Sequence, residues 1–135
     1  MKQPINVFEN QEQLNECLNE WQERLFLNDW IIKAQFGEIP ENNHGWNESE
    51  HVIKCSLITI LRPLPNDDWI AKQPEELVLI HELLHCKMNI IQSSETYESV
   101  MLDLREHQLL EEMAKSLLMA KYNLKFSWFN PEVGQ

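Results

Sequence analysis

Two histidines four residues apart, inside a segment predicted to be helical, constrain this chain more than any other feature. A proline at the first helical position and two acidic residues in the first turn favour a helix that begins at residue 74 and continues to about residue 91. At about 100° per residue, His81 and His85 lie one turn apart on one face. The other side of the helix is apolar, with Leu79, Ile80, Leu83, Leu84, Ile90 and Ile91. We therefore expect the apolar side to enter a core and the histidines to face a cleft.

The residue between these histidines adds a chemical role to the pattern. Two imidazoles at this spacing can both reach one metal ion at metal–nitrogen distances of about 2.0–2.1 Å. Glu82, one position round the helix, can reach a water on that ion without becoming a ligand. The resulting pattern, H-E-x-x-H on a helix, is typical of zinc metalloproteases. A third ligand is needed to complete such a site.

A second helix, predicted over residues 97–122, offers candidates for the third ligand. Asp103, His107 and Glu111 fall along one stripe of this helix, on the same side as its inward-facing apolar residues. Burying such groups without partners would cost several kcal/mol, of the order expected for unsatisfied polar groups. We therefore expect them to hold a metal ion or to form a hydrogen-bonded network, with His107 as the central member.

On these residues the chain resembles the gluzincin clan of zincin metallopeptidases, especially the short members found in phages and mobile elements. The resemblance covers residues 74–118. In that clan a second helix carries the third ligand, usually Glu, and an acidic residue four positions later supports a ligand histidine. His107 and Glu111 match this pattern if His replaces Glu, and His107 follows His85 by 22 positions, similar to the clan's spacing.

The resemblance implies a set of site residues. It assigns His81, His85 and His107 as ligands of Zn²⁺, Glu82 as the general base, and Glu111 as the support of a ligand histidine. Glu111 and Glu106 stay as alternative third ligands. Candidates for a donor to the developing oxyanion are Tyr97, His44 and His51, although the polar loop around the last two makes exposed surface positions their default interpretation.

The remaining pattern predicts a single α+β domain over residues 1–135. An N-terminal helix is expected over residues 10–27, strands over residues 30–36 and 52–61, and a short strand around Trp46. These elements predict a zincin-like fold, with a small, about three-stranded and mainly antiparallel sheet, followed by two C-terminal helices that carry the metal site. The resemblance also implies that a substrate peptide adds in extended form to the strand over residues 52–61.

Charge and cysteine content narrow the partners and the compartment. The 135 residues carry 11 Lys and Arg against 22 Asp and Glu, a net charge of −11, which opposes binding to nucleic acid. No apolar run exceeds four residues, far short of the roughly 20 that cross a bilayer. Three cysteines without a C-x-x-C pair predict neither a disulfide framework nor a four-thiolate metal site. We expect a cytoplasmic protein whose partner is a protein or peptide.

Three functions follow as hypotheses. The leading one is a zinc-dependent metallopeptidase, a hydrolase that cleaves a peptide bond in a specific protein substrate through a metal-activated water. The alternative is a proteolytically inert metal-binding protein that uses the same scaffold to engage a partner. A metal-free helical interaction domain is the third hypothesis, and it predicts no folding loss on chelation.

Overall fold

Three α-helices and a three-stranded sheet make up the part of the chain that the structure describes, which confirms the predicted α+β class. The structure is a computed structural model and describes residues 2–39, 43–64, 73–88 and 97–129. The elements in chain order are α1 (Gln11–Arg24), β1 (Ile31–Gly37), β2 (Gly45–Glu50), β3 (Cys55–Leu61), α2 (Glu75–Lys87) and α3 (Tyr97–Tyr122), followed by a 3-10 turn (Phe126–Trp128). Helix α2 ends at Lys87, before the predicted end near residue 91, because Met88 has an extended backbone with φ −107° and ψ 116°. Residues 89–91 lie outside the described ranges.

Helix α1 ends at Arg24, earlier than the sequence predicts, because the backbone leaves the helical conformation at Phe26. The Asn10 side chain caps the start by accepting a hydrogen bond from the Gln13 amide at 2.8 Å. At the other end, Phe26 adopts a φ of 56°, a left-handed conformation that ends the helix before residue 27. The apolar stripe nevertheless enters the core as predicted, through Leu14, Cys17, Leu18 and Trp21.

The sheet is mixed and has the order β1-β3-β2, with β1 parallel and β2 antiparallel to β3. The mainly antiparallel sheet predicted from the sequence is therefore wrong in one of its two pairings. The mostly apolar strand β3 lies at the centre of the sheet. Strand β2, which is mostly polar and alternates half-buried with exposed residues, lies at an edge. Both edges of β3 are paired, so the expectation that a substrate peptide adds to residues 52–61 is also wrong. The edge strand beside α2 is β2.

Helix α2 lies at the centre of the structure, in contact with β2, β3, α1 and α3. Its fully buried face includes Leu77, Leu79, Ile80 and Leu83. Helix α3 packs on it through buried Leu110, Ala114 and Leu118. No helix in the described ranges is long and apolar enough to cross a membrane.

The N-terminus of α2 is fixed by two buried carboxylates. Glu76 has no exposed surface, and its carboxylate accepts hydrogen bonds from Trp21 Nε1 at 2.8 Å and from Lys121 Nζ at 2.7 Å. Glu75 pairs with the Arg62 guanidinium at 2.7 Å. From the sequence these two residues are predicted only as favourable first-turn charges. Because they tie α2 to α1, α3 and the end of β3, they also set the position of its histidines.

Candidate metal centre

Three histidines from two helices meet at one point beside the sheet. Helix α2 presents His81 and His85 one turn apart, and α3 brings His107 against them. The ring centroids are 5.2 Å apart for His81 and His85, 6.0 Å for His81 and His107, and 5.1 Å for His85 and His107. One nitrogen from each ring lies within 4.8 Å of the other two, so the group could hold a metal ion.

The donor set and the spacing fit a tetrahedral ion. Nitrogens bound at about 2.0–2.1 Å in tetrahedral geometry stand about 3.4 Å apart. Rotations that move the three ring nitrogens by about 1 Å would therefore close the group round an ion. Glu106 and Glu111, the alternative third ligands, contribute no atom to this group among the residues that the structure describes.

Glu111 contacts the group through His81. Nδ1 of His81 donates to Oε2 of Glu111 at 2.8 Å, which leaves Nε2 of the same ring for a metal ion. Burial opposes protonation of His81, but this hydrogen bond and the nearby carboxylates raise its pKa. Burial likewise opposes ionisation of Glu111, yet the hydrogen bond from His81 lowers the pKa of the carboxyl. The geometry favours Glu111 as an ionised support that fixes the His81 ring.

Glu82 is the buried acidic group of the site. Its side chain is 8% exposed, and burial raises its pKa to about 7 against the opposing charges of His81 and His107. No hydrogen bond to its carboxylate comes from the described residues. A carboxyl group with a pKa near 7 can both accept and return a proton at neutral pH.

The pKa of His85 is lowered, whereas that of Glu82 is raised. Burial and then the charges of His81 and His107 lower the pKa of His85 to about 4. The ring is therefore neutral at pH 7, the form in which imidazole binds metals.

Strand β2 approaches Glu82 so closely that only glycine fits at residue 45. A Cβ added to Gly45 would lie 2.6 Å from Cγ1 of Val78 and 3.0 Å from both Cγ and Oε2 of Glu82. Nδ2 of Asn47 donates to the Glu82 carbonyl at 2.6 Å and holds α2 against the same strand. Close packing at Gly45 and the hydrogen bond from Asn47 therefore hold Glu82 against β2.

A cleft of about 370 Å³ opens between the histidine group and β2. One wall carries His81, Glu82, His85 and His107, and the other consists of Asn43, Gly45, Trp46, Asn47, Ser49 and His51. Helix and strand therefore line the same open space, which is long enough to follow several residues of β2.

Two histidines that the sequence analysis treats as surface residues by default line this region. His51 lies in the cleft, edge-on to Trp30 with ring centroids 5.3 Å apart. Its Nε2 is buried and has no hydrogen-bond partner among the described residues. His44 lines an adjoining space of about 220 Å³ together with His81 and Glu82.

A sequence signal for this wall existed in β2. The positions of β2 that face α2 carry Gly45, Asn47 and Ser49, which are small or polar where a core strand carries apolar residues. Such a pattern indicates a site rather than a core. The side chains of Tyr97 and Asp103, both named as candidates from the sequence, lie outside the described part of the structure.

Comparison of the chain with protein-family models, with curated proteins and with solved structures finds no match. The relationship to the zincins stays a prediction from residues 74–118. The observations available for inferring a function are the three-histidine group, the buried Glu82, the Glu111 contact and the edge strand beside them.

Proposed function

We propose that this protein is a zinc-dependent peptidase that hydrolyses a peptide bond in the cleft between α2 and β2. The observation that carries the proposal is the meeting of His81, His85 and His107 with Glu82 beside β2, whose outer edge pairs with no strand of the described ranges. Metal group, base and strand edge are the three parts that such a reaction needs within reach of one peptide bond.

Three imidazoles support zinc as the metal. Imidazole suits Zn²⁺ as it also suits copper, iron and nickel, and three protein ligands leave a fourth position open, as in catalytic zinc sites. When bound, Zn²⁺ supplies a Lewis acid that polarises the scissile carbonyl and lowers the pKa of a water to about 7. The Glu111 contact supports this use of the site because it orients the His81 ring and selects its free nitrogen.

Glu82 supports hydrolysis over simple metal binding. Its carboxylate accepts a proton from the attacking water, whose oxygen forms the new bond to the scissile carbon. Glu82 then donates that proton to the amine nitrogen as the carbon–nitrogen bond breaks. In the metal-free protein, burial raises the pKa of Glu82 to about 7, a value at which a carboxyl group can both accept and donate a proton at neutral pH. His51 lies in the same cleft, and its Nε2 has no hydrogen-bond partner within the part of the chain that the structure describes, which makes it a candidate donor to the charge that develops on the carbonyl oxygen.

The free edge of β2 can align an extended peptide with this machinery. The Leu61 amide donates to the His44 carbonyl at 2.9 Å, and the two residues are directly opposite in the register of β2 and β3. Hydrogen-bonded and non-bonded pairs alternate in an antiparallel ladder, so Gly45, Asn47 and Ser49 direct their amides and carbonyls away from β3. No strand of the described ranges pairs with that edge. A peptide strand added there passes beside Glu82.

The test is zinc-dependent cleavage of a proteome-derived peptide mixture, with new termini counted by mass spectrometry. We expect the zinc-loaded wild type to cut the peptides and a chelator to stop it. Glu82→Gln keeps zinc and loses about 10²-fold or more of the rate, as expected when a positioned base is removed. The matched control is Glu16→Gln on the exposed side of α1, which keeps wild-type cleavage.

The same experiment separates the other hypotheses. Stoichiometric zinc without zinc-dependent cleavage in the wild type would contradict the peptidase proposal and leave an inert metal-binding interaction protein. Equal cleavage by Glu82→Gln and the wild type would refute the role of Glu82. Absence of zinc after reconstitution would leave the metal-free interaction domain.

A further inference from the structure

Strand β2 carries two carboxylates on the side that does not face α2. Its side chains alternate, so that Trp46, Glu48 and Glu50 lie on the sheet face opposite to Gly45, Asn47 and Ser49. Glu48 and Glu50 are exposed, and neither forms an ion pair with a described residue. The edge that is open to a peptide strand therefore bears two negative charges spaced two residues apart.

A strand added to this edge places side chains directly beside these carboxylates. Opposed residues on neighbouring strands have Cβ atoms about 4.5–5.5 Å apart, where opposite charges stabilise the pairing and like charges destabilise it. We infer that the substrate segment is basic, with Lys or Arg at two positions separated by one residue, opposite Glu48 and Glu50. This inference rests on the proposed function, because it names the class of peptide that the β2 edge accepts.

The position of Glu82 sets where these basic residues lie relative to the cleaved bond. Glu82 is next to Gly45, at the start of β2. Glu48 and Glu50 follow three and five residues later, about 10 Å and 17 Å along an extended strand. Both basic residues of the substrate therefore lie on the same side of the bond that is cut.

Charge also argues against a second copy of this chain as the occupant of the edge. The chain has a net charge of −11, and pairing two β2 edges would set glutamates against glutamates. Carboxylates on an edge strand resist such self-pairing, and the same carboxylates admit a cationic strand. Trp46, on the same sheet face, adds a ring that can contact an aliphatic or cationic side chain.

The test measures binding without cleavage. The protein is zinc-loaded Glu82→Gln, and the probes are two fluorescent ten-residue peptides of Thr and Val, one with lysines and one with glutamates at two alternate positions. Anisotropy titrations give a Kd for each probe. We expect the lysine probe to bind about 5- to 20-fold more tightly, from two cross-strand charge pairs, and the difference to shrink at high salt.

A matched pair of variants distinguishes a local effect from net charge. Glu48→Lys with Glu50→Lys reverses the edge, whereas Glu16→Lys with Glu23→Lys makes the same change of net charge on exposed positions of α1. The edge variant is expected to prefer the glutamate probe, and the α1 variant to keep its preference for lysine. Near-ultraviolet circular dichroism and zinc content confirm that both variants keep the fold.

Three results would overturn the inference: equal Kd values for the two probes, equal loss of preference in both charge variants, or no binding of either probe. None of these depends on hydrolysis, because the measurement uses a protein without its general base. Zinc-dependent cleavage at sites that lack basic residues would refute the inference and leave the peptidase proposal standing. A preference for the lysine probe without any cleavage by the wild type would contradict the peptidase proposal and leave the β2 edge as a binding site for a basic peptide.

Discussion

Replacing Glu82 with glutamine is expected to stabilise the metal-free protein at neutral and alkaline pH. The wild-type carboxyl is buried, and burial raises its pKa to about 7, so ionisation in the folded state is costly. Glutamine has nearly the same shape and never ionises. The residue proposed as the general base is therefore a position where function reduces stability.

The magnitude follows from the shift. A rise from the ordinary 4.5 to about 7 corresponds to roughly 3 kcal/mol of folding free energy. Because the folded-state pKa is the higher one, the favourable contribution of the protonated group is present below pH 4.5 and is lost as pH rises through 7. The free energy of unfolding of Glu82→Gln relative to that of the wild type should therefore rise by roughly 2–3 kcal/mol as pH increases from 5 to 8.

Urea denaturation in the presence of a chelator, at pH 5 and at pH 8, measures this difference. His85 titrates in the opposite direction, since its pKa is lowered to about 4, but it is common to both proteins and cancels in the comparison. Glu16→Gln, an exposed position on α1, serves as the control and should show no pH-dependent gain. If the free energy of unfolding of Glu82→Gln does not rise relative to that of the wild type from pH 5 to pH 8, the Glu82 carboxyl does not have a raised pKa in the folded protein.

Three further predictions concern the residues round the site. Glu111→Gln should weaken zinc binding about 10- to 100-fold in a chelator competition, because it removes the charged support of His81. Gly45→Ala should cost about 1–3 kcal/mol in urea denaturation, since the added methyl overlaps the side chains of α2, including Glu82. Glu76→Gln should cost about 1–3 kcal/mol in the same assay, because the Lys121 ammonium loses the buried one of its two carboxylate partners and keeps only the partly exposed Glu20.

The first two of these predictions each have a control variant at a comparable position. Glu112→Gln, one residue from Glu111 but exposed, should leave zinc affinity unchanged, and equal affinity for both variants would contradict the support of His81. Gly37→Ala places its methyl 3.4 Å from Cγ2 of Thr59, an ordinary contact, and should be better tolerated than Gly45→Ala. Wild-type stability of Glu76→Gln would contradict the anchoring of α2.

The sequence predicted the metal-site helix well because its signals are local. An i, i+4 histidine pair on an apolar helix fixes which side faces the core, and the same periodicity placed His107 and Glu111 on the side of α3 that meets the α2 histidines. The expected burial is wrong for His107, which is exposed, and Glu111 is only half-buried. The hydrogen bond between Glu111 and His81 depends on how two helices pack. The sequence could supply the residue types for that contact only through a resemblance to other proteins.

Strand order and long-range contacts could not be predicted in the same way. Alternation identifies β3 as a strand but does not say which neighbours it pairs with, so its central position and the parallel pairing with β1 came only from the structure. Glu76 illustrates a second limit. Its role in the first helical turn is local, whereas its bonds to Trp21 and Lys121 join residues far apart in sequence.

The most direct test of the metal centre is the zinc content of protein purified without chelator or affinity tag, measured by plasma mass spectrometry. The account predicts about one zinc per chain in the wild type and in His44→Ala, and none in His81→Ala or His107→Ala. Zinc that persists in His107→Ala but is lost in Glu111→Ala would move the third ligand to Glu111. A wild type that binds no zinc after reconstitution would contradict the three-histidine centre.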